Sequence, residues 1–443
     1  MNNHIPIRLP SLRDYSHDAR QIILVSGLIA VSFFGVVALL RSLYLLRLGY
    51  PPSFLGTYYA TGALTYMAMG VPSGALGQRW GTRKAMLYGG WIAVLGMVLL
   101  PLTGRMPPPI TDAWPLVSQV VITMGWSMFS VNSVPALMLV TTDTDRASAY
   151  ALTSVLRGMG TFAGTLVGGI LPGVAARVTA PHLPVATALE QPEPYAWAIL
   201  IGALFGLTSI IPLTRVRGGL RPVVTQTEHH PRGAFPFALV ASLVIYVVTR
   251  HMGWTTCQAY CSPYMDTDLA LSTSSIGTLT SIGQIAAIGA TLMLPRIVKH
   301  HSHAWVLIVS TAMQIVSLAL LAFVPHWATA SLGLLGVQVS AGIWIPELQV
   351  FQMELVKESW RSLAYGAVAM AMGLGFGSMS FFGGRLIDRQ GYSPLFTIGT
   401  VLTAVSTLLM LGIAHWSVDG STSDTQHIEP TSHSSAARQE ADI

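Results

Sequence analysis

The stretch Arg146 to Leu171, RASAYALTSVLRGMGTFAGTLVGGIL, returns in altered form from Arg361 to Leu386 as RSLAYGAVAMAMGLGFGSMSFFGGRL. An offset of 361 − 146 = 215 residues superposes Arg146 on Arg361, Tyr150 on Tyr365, Gly158 and Gly160 on Gly373 and Gly375, and Gly168 and Gly169 on Gly383 and Gly384. Each copy is long and apolar enough to cross a bilayer, opens on a cation, and carries small residues that let another helix come close. An offset near half of the 443 residues predicts two similar halves.

The rest of the chain agrees with that reading. Runs of about 20 apolar residues, the length of a spanning helix, occur twelve times. The first six cover 21 to 46, 54 to 77, 85 to 103, 115 to 140, 147 to 172 and 195 to 213, and the second six 235 to 262, 273 to 298, 304 to 324, 328 to 355, 362 to 386 and 394 to 416. Charged residues make up 10% of the chain, against roughly 25% in a soluble domain. The expected fold is an all-α membrane protein, twelve transmembrane helices in two parallel six-helix repeats. Residues 1–20 read as an N-terminal tail, 21–213 and 235–416 as six-helix bundles, 214–234 as an Arg-bearing linker, and 417–443 as a polar, disordered tail.

Lys and Arg set the orientation. With the N-terminus inside, sixteen fall on the cytoplasmic side, and five (Arg47, Arg105, Arg177, Arg385 and Arg389) fall outside. Both termini are therefore expected in the cytoplasm, in a bacterial inner membrane. The net charge of +5 is scattered over short loops without a basic aromatic stripe, so nucleic acid is not an expected partner. Cys257 and Cys261, four residues apart, read as small packing residues.

The loop after the second run, Gly74-Ala-Leu-Gly-Gln-Arg-Trp-Gly-Thr-Arg-Lys84, resembles the signature loop of the major facilitator superfamily, Gly-x-Leu-x-Asp-Arg-x-Gly-Arg-Arg. Gly74, Leu76, Arg79, Gly81 and Arg83 fall on the pattern, and Gln78 stands in place of the Asp. In the fifth run, Gly160, Gly164, Gly168 and Gly169 are similar to that superfamily's antiporter motif, with Thr165 in place of its Pro. The resemblance covers about 20 to 416 and points to the drug and metabolite exporter branch. It implies two bundles rocking around a midplane site, with the loop latching them when the protein faces outward. Without the Asp a weaker latch is expected. Physically, Gly74 and Gly81 permit a tight turn, and the basic residues can meet helix C-termini.

Charges inside the membrane are costly and are candidates for function. Arg157 lies about 16 Å along the axis from Arg146, and Glu347 about 15 Å from Lys357. The shared depth makes an Arg157 to Glu347 pair a candidate cytoplasmic gate. Arg250 and His251 sit mid-span, and His251 is a candidate proton carrier. Arg41 can snorkel from near a helix end. Asn132, Gln258 and Gln284 are candidate cavity donors, and Trp126 and Trp344 candidate aromatic surface. His300, His301 and His303 read as weakly basic loop residues.

No phosphate-binding loop, nucleophile with a base, or zinc spacing is evident, so neither an enzyme nor a cofactor or metal site is expected. The expected function is secondary active transport by alternating access, by a monomer acting on a small-molecule substrate. Proton-coupled export of small organic or amphipathic molecules comes first. Movement of an organic anion on Arg157 and Arg250 is the alternative, and a non-transporting membrane sensor or scaffold is a third reading.

Overall fold

The computed structural model describes residues 12, 15–108, 110–142, 145–217, 237–356 and 360–425, with backbone only at 147, 362 and 415–425. Among them twelve long helices follow one another, and no strand occurs. They are α1 (His17–Arg47), α2 (Pro52–Trp80), α3 (Thr82–Arg105), α4 (Ala113–Val140), α5 (Arg146–Thr179), α6 (Glu193–Arg215), α7 (Phe237–Thr267), α8 (Thr273–Val298), α9 (His303–Phe323), α10 (Trp327–Leu355), α11 (Arg361–Gln390) and α12 (Tyr392–Thr425). Eleven are long and apolar enough to cross a bilayer. The exception, α2, carries Thr57, Thr61 and Thr65, whose hydroxyls are satisfied by carbonyls one turn back. It packs against α4 and α11, so protein covers much of its polar surface.

Several ends lie beyond the expected runs, α5 reaching Thr179, α7 Thr267 and α11 Gln390, and two further differences have a local cause. The α1 helix begins at His17 rather than 21, because the Ser16 hydroxyl accepts from Ala19 N and Asp18 favours the first turn. The α12 backbone stays helical to Thr425, past the expected end at 416, since extending a formed helix costs far less than starting one. Residues 1–11, 13 and 14 of the expected N-terminal tail, 218–234 of the expected linker and 426–443 of the expected C-terminal tail lie outside the described residues.

The duplicated glycines do equivalent work in the two halves. On α5, Gly160 and Gly164 meet the backbone of α1 at Gly27 and Val31, while Gly169 lies against Gly277 of α8. On α11, Gly375 meets the backbone of α7 at Val248, while Gly384 lies against Pro52 and Ser53 at the start of α2. One row thus binds each repeat to its own half, and the other binds it to the opposite half. Opposite Gly164 and Gly168, α1 widens into a π-helical stretch, Val31–Val37. A side chain in these contacts would overpack them, at about 1–3 kcal/mol or more.

Contacts between the halves run from one end of the molecule to its middle. Along α2 and α11 they pass from Pro52 and Gly384 to Met67 and Gly373, and along α5 and α8 from Gly169 and Gly277 to Gly158 and Ile288. Beyond them Gly70, Gly289 and Gly366 face open space. One end is therefore closed and the other open. The closed end is latched by Arg47 of α1, whose Nη1 and Nη2 donate to both carboxylate oxygens of Asp266 on α7 at 2.6 and 2.7 Å. The Asp266 side chain is only 3% exposed, so the pair is shielded from water. Arg47 Nε donates to Leu189 O at 2.8 Å, and the hydroxyls of Tyr195 and Thr273 meet across the halves at 2.8 Å.

A charge-assisted bond of this kind contributes about 1.5–3 kcal/mol. Asp266→Asn should therefore raise the population separated at the closed end by about ten-fold or more. Distance distributions between spin labels placed on either side of that end check this, and Arg47→Gln should give the same shift without adding to it.

Candidate functional site

At the open end the α2 to α3 turn is a single residue, Gly81, at φ +87°, a value that favours glycine. Gly74, expected to share in the turn, lies inside α2. Arg83 donates to Leu213 O and Thr214 O at the end of α6, at 3.1 and 2.8 Å, which satisfies carbonyls left over by that helix. Gln78 and Arg79 are exposed. The close-approach glycine here is Gly77, against which the Asn132 amide is pressed. Asn132 Nδ2 donates to Ser73 O and Met128 O, at 3.0 and 2.9 Å, so it clasps α4 to α2 and is not a cavity donor.

In the second half Arg250 is fully buried on α7. Its Nη2 donates to Ser340 Oγ at 2.9 Å, and its guanidinium carbon lies 4.4 Å from the centre of the Trp344 ring. Trp344 is itself buried and donates through Nε1 to Tyr246 OH at 2.7 Å. Among the described residues, Arg250 Nε and Nη1 have no hydrogen-bond partner, nor does His251 Nδ1. Ring contact continues from Trp344 to His251 at 6.2 Å, to Trp254 at 4.7 Å, to Phe376 of α11 at 6.2 Å and across to Tyr59 of α2 at 6.2 Å. Arg41 of α1 caps the far end, 4.8 Å from the Tyr59 ring centre, and its Nε is also buried without a partner. An aromatic run crossing both halves therefore has an arginine at each end. Gln258, seven residues after His251 and two turns on along the same face, is exposed beside this run.

Arg157 is exposed. It lies about 200° round α5 from Met159, whose side chain marks the outer face, at about 100° per residue. That turns it toward the space between the halves, within electrostatic reach of Tyr66. Trp126 instead packs in the first half, its ring stacked on Phe33 at 4.5 Å and meeting Phe34 edge-on at 4.9 Å. Gln284 Nε2 donates to Thr165 Oγ1 at 3.1 Å, so the residue in place of the motif's Pro binds α5 to α8.

The expected Arg157 to Glu347 pair is not formed. Glu347 is buried on α10 and bonds His303 Nδ1 on α9, within its own half, and His303 Nε2 lies 3.5 Å from Glu354. His303 is thus the partner of a buried carboxylate rather than a loop cation. Its position at the first turn of α9 placed it among loop residues in the sequence, and the 44 residues between it and Glu347 left no local signal of the pairing. Tyr59, Trp254 and Phe376 carried no such signal, because aromatic residues are common in every apolar run. Asp266 closes α7 as Arg47 closes α1, a symmetry that only the two-fold packing turns into a contact.

The sequence profile of the Major Facilitator Superfamily matches residues 22–378. The chain belongs to the major facilitator superfamily. It is a membrane transporter of that fold rather than an enzyme, built for alternating access to a small-molecule substrate. Among solved structures, a variant of the nucleoside transporter NupG superposes with a TM-score of 0.70 at 14% identity, covering 90% of this chain and 99% of that one. A D-xylose-proton symporter gives 0.68 at 14%, covering 88% and 95%. A bacterial homologue of the iron transporter ferroportin gives 0.65 at 14%, covering 91% and 99%. No curated protein sequence matches this one.

Burial of an arginine without a carboxylate is costly, and replacing buried charge by a packed apolar side chain typically stabilises a protein by about 1–4 kcal/mol. Stacking on Trp344 recovers about 2 kcal/mol. Arg250→Met in this superfamily member should therefore leave thermal stability in detergent unchanged or raise it. A marked fall in unfolding temperature would show that the Ser340 and Trp344 contacts outweigh the desolvation.

Proposed function

We propose that this transporter moves organic anions with an aromatic or apolar body, and that the structure is its inward-facing state. The observation that carries the reading is a charge imbalance. Arg41, Arg157 and Arg250 lie in membrane helices, and among the described residues none has a carboxylate partner, whereas Glu347 is matched by His303. An anion about 8 Å from a guanidinium gains about 2 kcal/mol at an effective dielectric of 20, and a cation loses as much. Each arginine in reach then separates the two by about 4 kcal/mol. The run from Tyr59 to Trp344 supplies rings for the apolar body. The open end carries Arg79, Arg83, Lys84, Arg146, Arg296 and Lys299, which supports its assignment to the cytoplasm.

A second reading, proton-driven export of lipophilic compounds, rests on the buried Glu347 and His303 pair at the open end. It agrees with the α5 glycine pattern. The solved structures of this fold include a nucleoside transporter, a D-xylose-proton symporter and a bacterial homologue of an iron transporter, so the shared fold does not choose between the two.

Flux into proteoliposomes separates them. Radiolabelled 2-naphthalenesulfonate, ionised at every working pH, should enter and exchange, while tetraphenylphosphonium should not. Arg157→Met and Arg250→Met should each lower sulfonate flux by at least ten-fold. If tetraphenylphosphonium alone moves, driven by a pH gradient that Glu347→Gln uncouples, the second reading replaces the first.

A further inference from the structure

Two grooves on the outer surface play no part in the central site. At the open end α8 and α9 barely touch, and α10 floors the gap between them. The resulting cavity, about 380 Å³, is walled by Met293, Trp305 and Val309 and floored by Ile343, with Arg296, His300 and His301 at its rim. Met293, Trp305 and Val309 are 55%, 42% and 43% exposed. In a membrane protein such large apolar exposures face acyl chains. The contact row of α8 toward the first half, Gly277, Ser281 and Ile288, is a different face. The His301 ring stacks on Trp305 at 4.0 Å, holding the imidazole over the groove. Among the described residues, Arg296, His300 and His301 have no ion-pair partner.

The first half repeats the arrangement. Between α2 and α3, with α4 as floor, a cavity of about 760 Å³ is lined by Leu76, Trp80, Tyr88, Trp91 and Met128, with Lys84 at its rim. The 215-residue offset carries Met128 onto Ile343 and Lys84 onto Lys299. Trp80, Tyr88 and Trp91 are 41%, 48% and 52% exposed, and Lys84 too is without an ion-pair partner.

We propose that these paired grooves are binding sites for an anionic phospholipid, the cationic rim holding the phosphate and the Trp-lined walls the first part of the acyl chains. The occupant has to be negative at the rim and apolar below it, and has to arrive from the bilayer side. A phospholipid meets all three conditions. Indole and phenol rings at the level of the rim suit the boundary between headgroup and hydrocarbon, and each basic group near an anionic headgroup strengthens association by about five-fold.

Native mass spectrometry of the full chain in detergent, with dioleoylphosphatidylglycerol or dioleoylphosphatidylcholine added, tests this. Wild type should retain up to two phosphatidylglycerol molecules and prefer them to phosphatidylcholine by at least five-fold. Arg296→Gln with His300→Gln and His301→Gln should remove one, and Lys84→Gln the other. Arg296→Lys alone should retain both. Trp305→Leu, which leaves every rim charge in place, should weaken retention in the α8 and α9 groove. Equal retention of the two lipids by wild type overturns the proposal, as does full phosphatidylglycerol retention by the combined variant. Should the triple change at the α8 and α9 groove fail to fold, Arg296→Gln alone is read by the same count.

Discussion

The close approach of α5 and α11 to their neighbours is the contact on which the other arrangements depend. Where Gly164 faces the backbone of Val31, and Gly384 that of Pro52, no side chain separates the helices. In a membrane, where lipid tails are as apolar as the helices themselves, such close van der Waals packing is a principal source of association. The two rows of each repeat differ in consequence. The row facing its own half, Gly160 and Gly164 against α1, makes that half rigid. The row facing the other half, Gly158 and Gly169 against α8, is a surface along which the halves can part. In the structure this second surface is engaged from the closed end to the middle, and that extent sets which end is open.

On this scaffold the charges are sorted by depth. At the closed end a cation meets an anion across the halves, Arg47 with Asp266. At the open end Glu347 meets His303 within one half. Between them Arg41, Arg157 and Arg250 stand without an acidic partner among the described residues. Arg250 is held by one hydroxyl and one indole face, with two guanidinium nitrogens, Nε and Nη1, without a partner among the described residues. A protein under no functional demand would not keep such a group, since an apolar residue packs there at lower cost. Arg250 lies behind Trp344 rather than open to the space between the halves. On the proposed anion reading it acts on that space through its field, while Arg157 is exposed.

Parts of the candidate site were legible residue by residue. Arg157, Arg250 and His251 stood out because charge or titratable groups in apolar runs are expensive; Arg157 is exposed, while Arg250 packs on Trp344 and His251 against Trp254. Asn132, Gln284 and Glu347 stood out for the same reason, yet each meets a partner inside the protein, Ser73, Thr165 and His303 in turn, with only Gln284 Oε1 of the three left unpartnered among the described residues. A polar side chain in an apolar run announces that it avoids lipid. It does not say whether it avoids lipid by facing water or by meeting another helix.

The number of long apolar helices, the two-fold repeat and the family could all be read from the chain alone. Each of these follows from apolar run length, a fixed offset, or a local turn such as Gly81, all properties of short stretches of chain. Tertiary structure alone decided which glycine faces which half, that Arg47 reaches Asp266, that Glu347 pairs with His303 rather than Arg157, and that Tyr59 and Phe376 continue an aromatic run between halves. These depend on how helices rotate about their axes and which ends meet. A rotation of 100° between neighbouring residues turns a cavity-facing side chain into a packed one without altering the hydrophobic run that defines the helix.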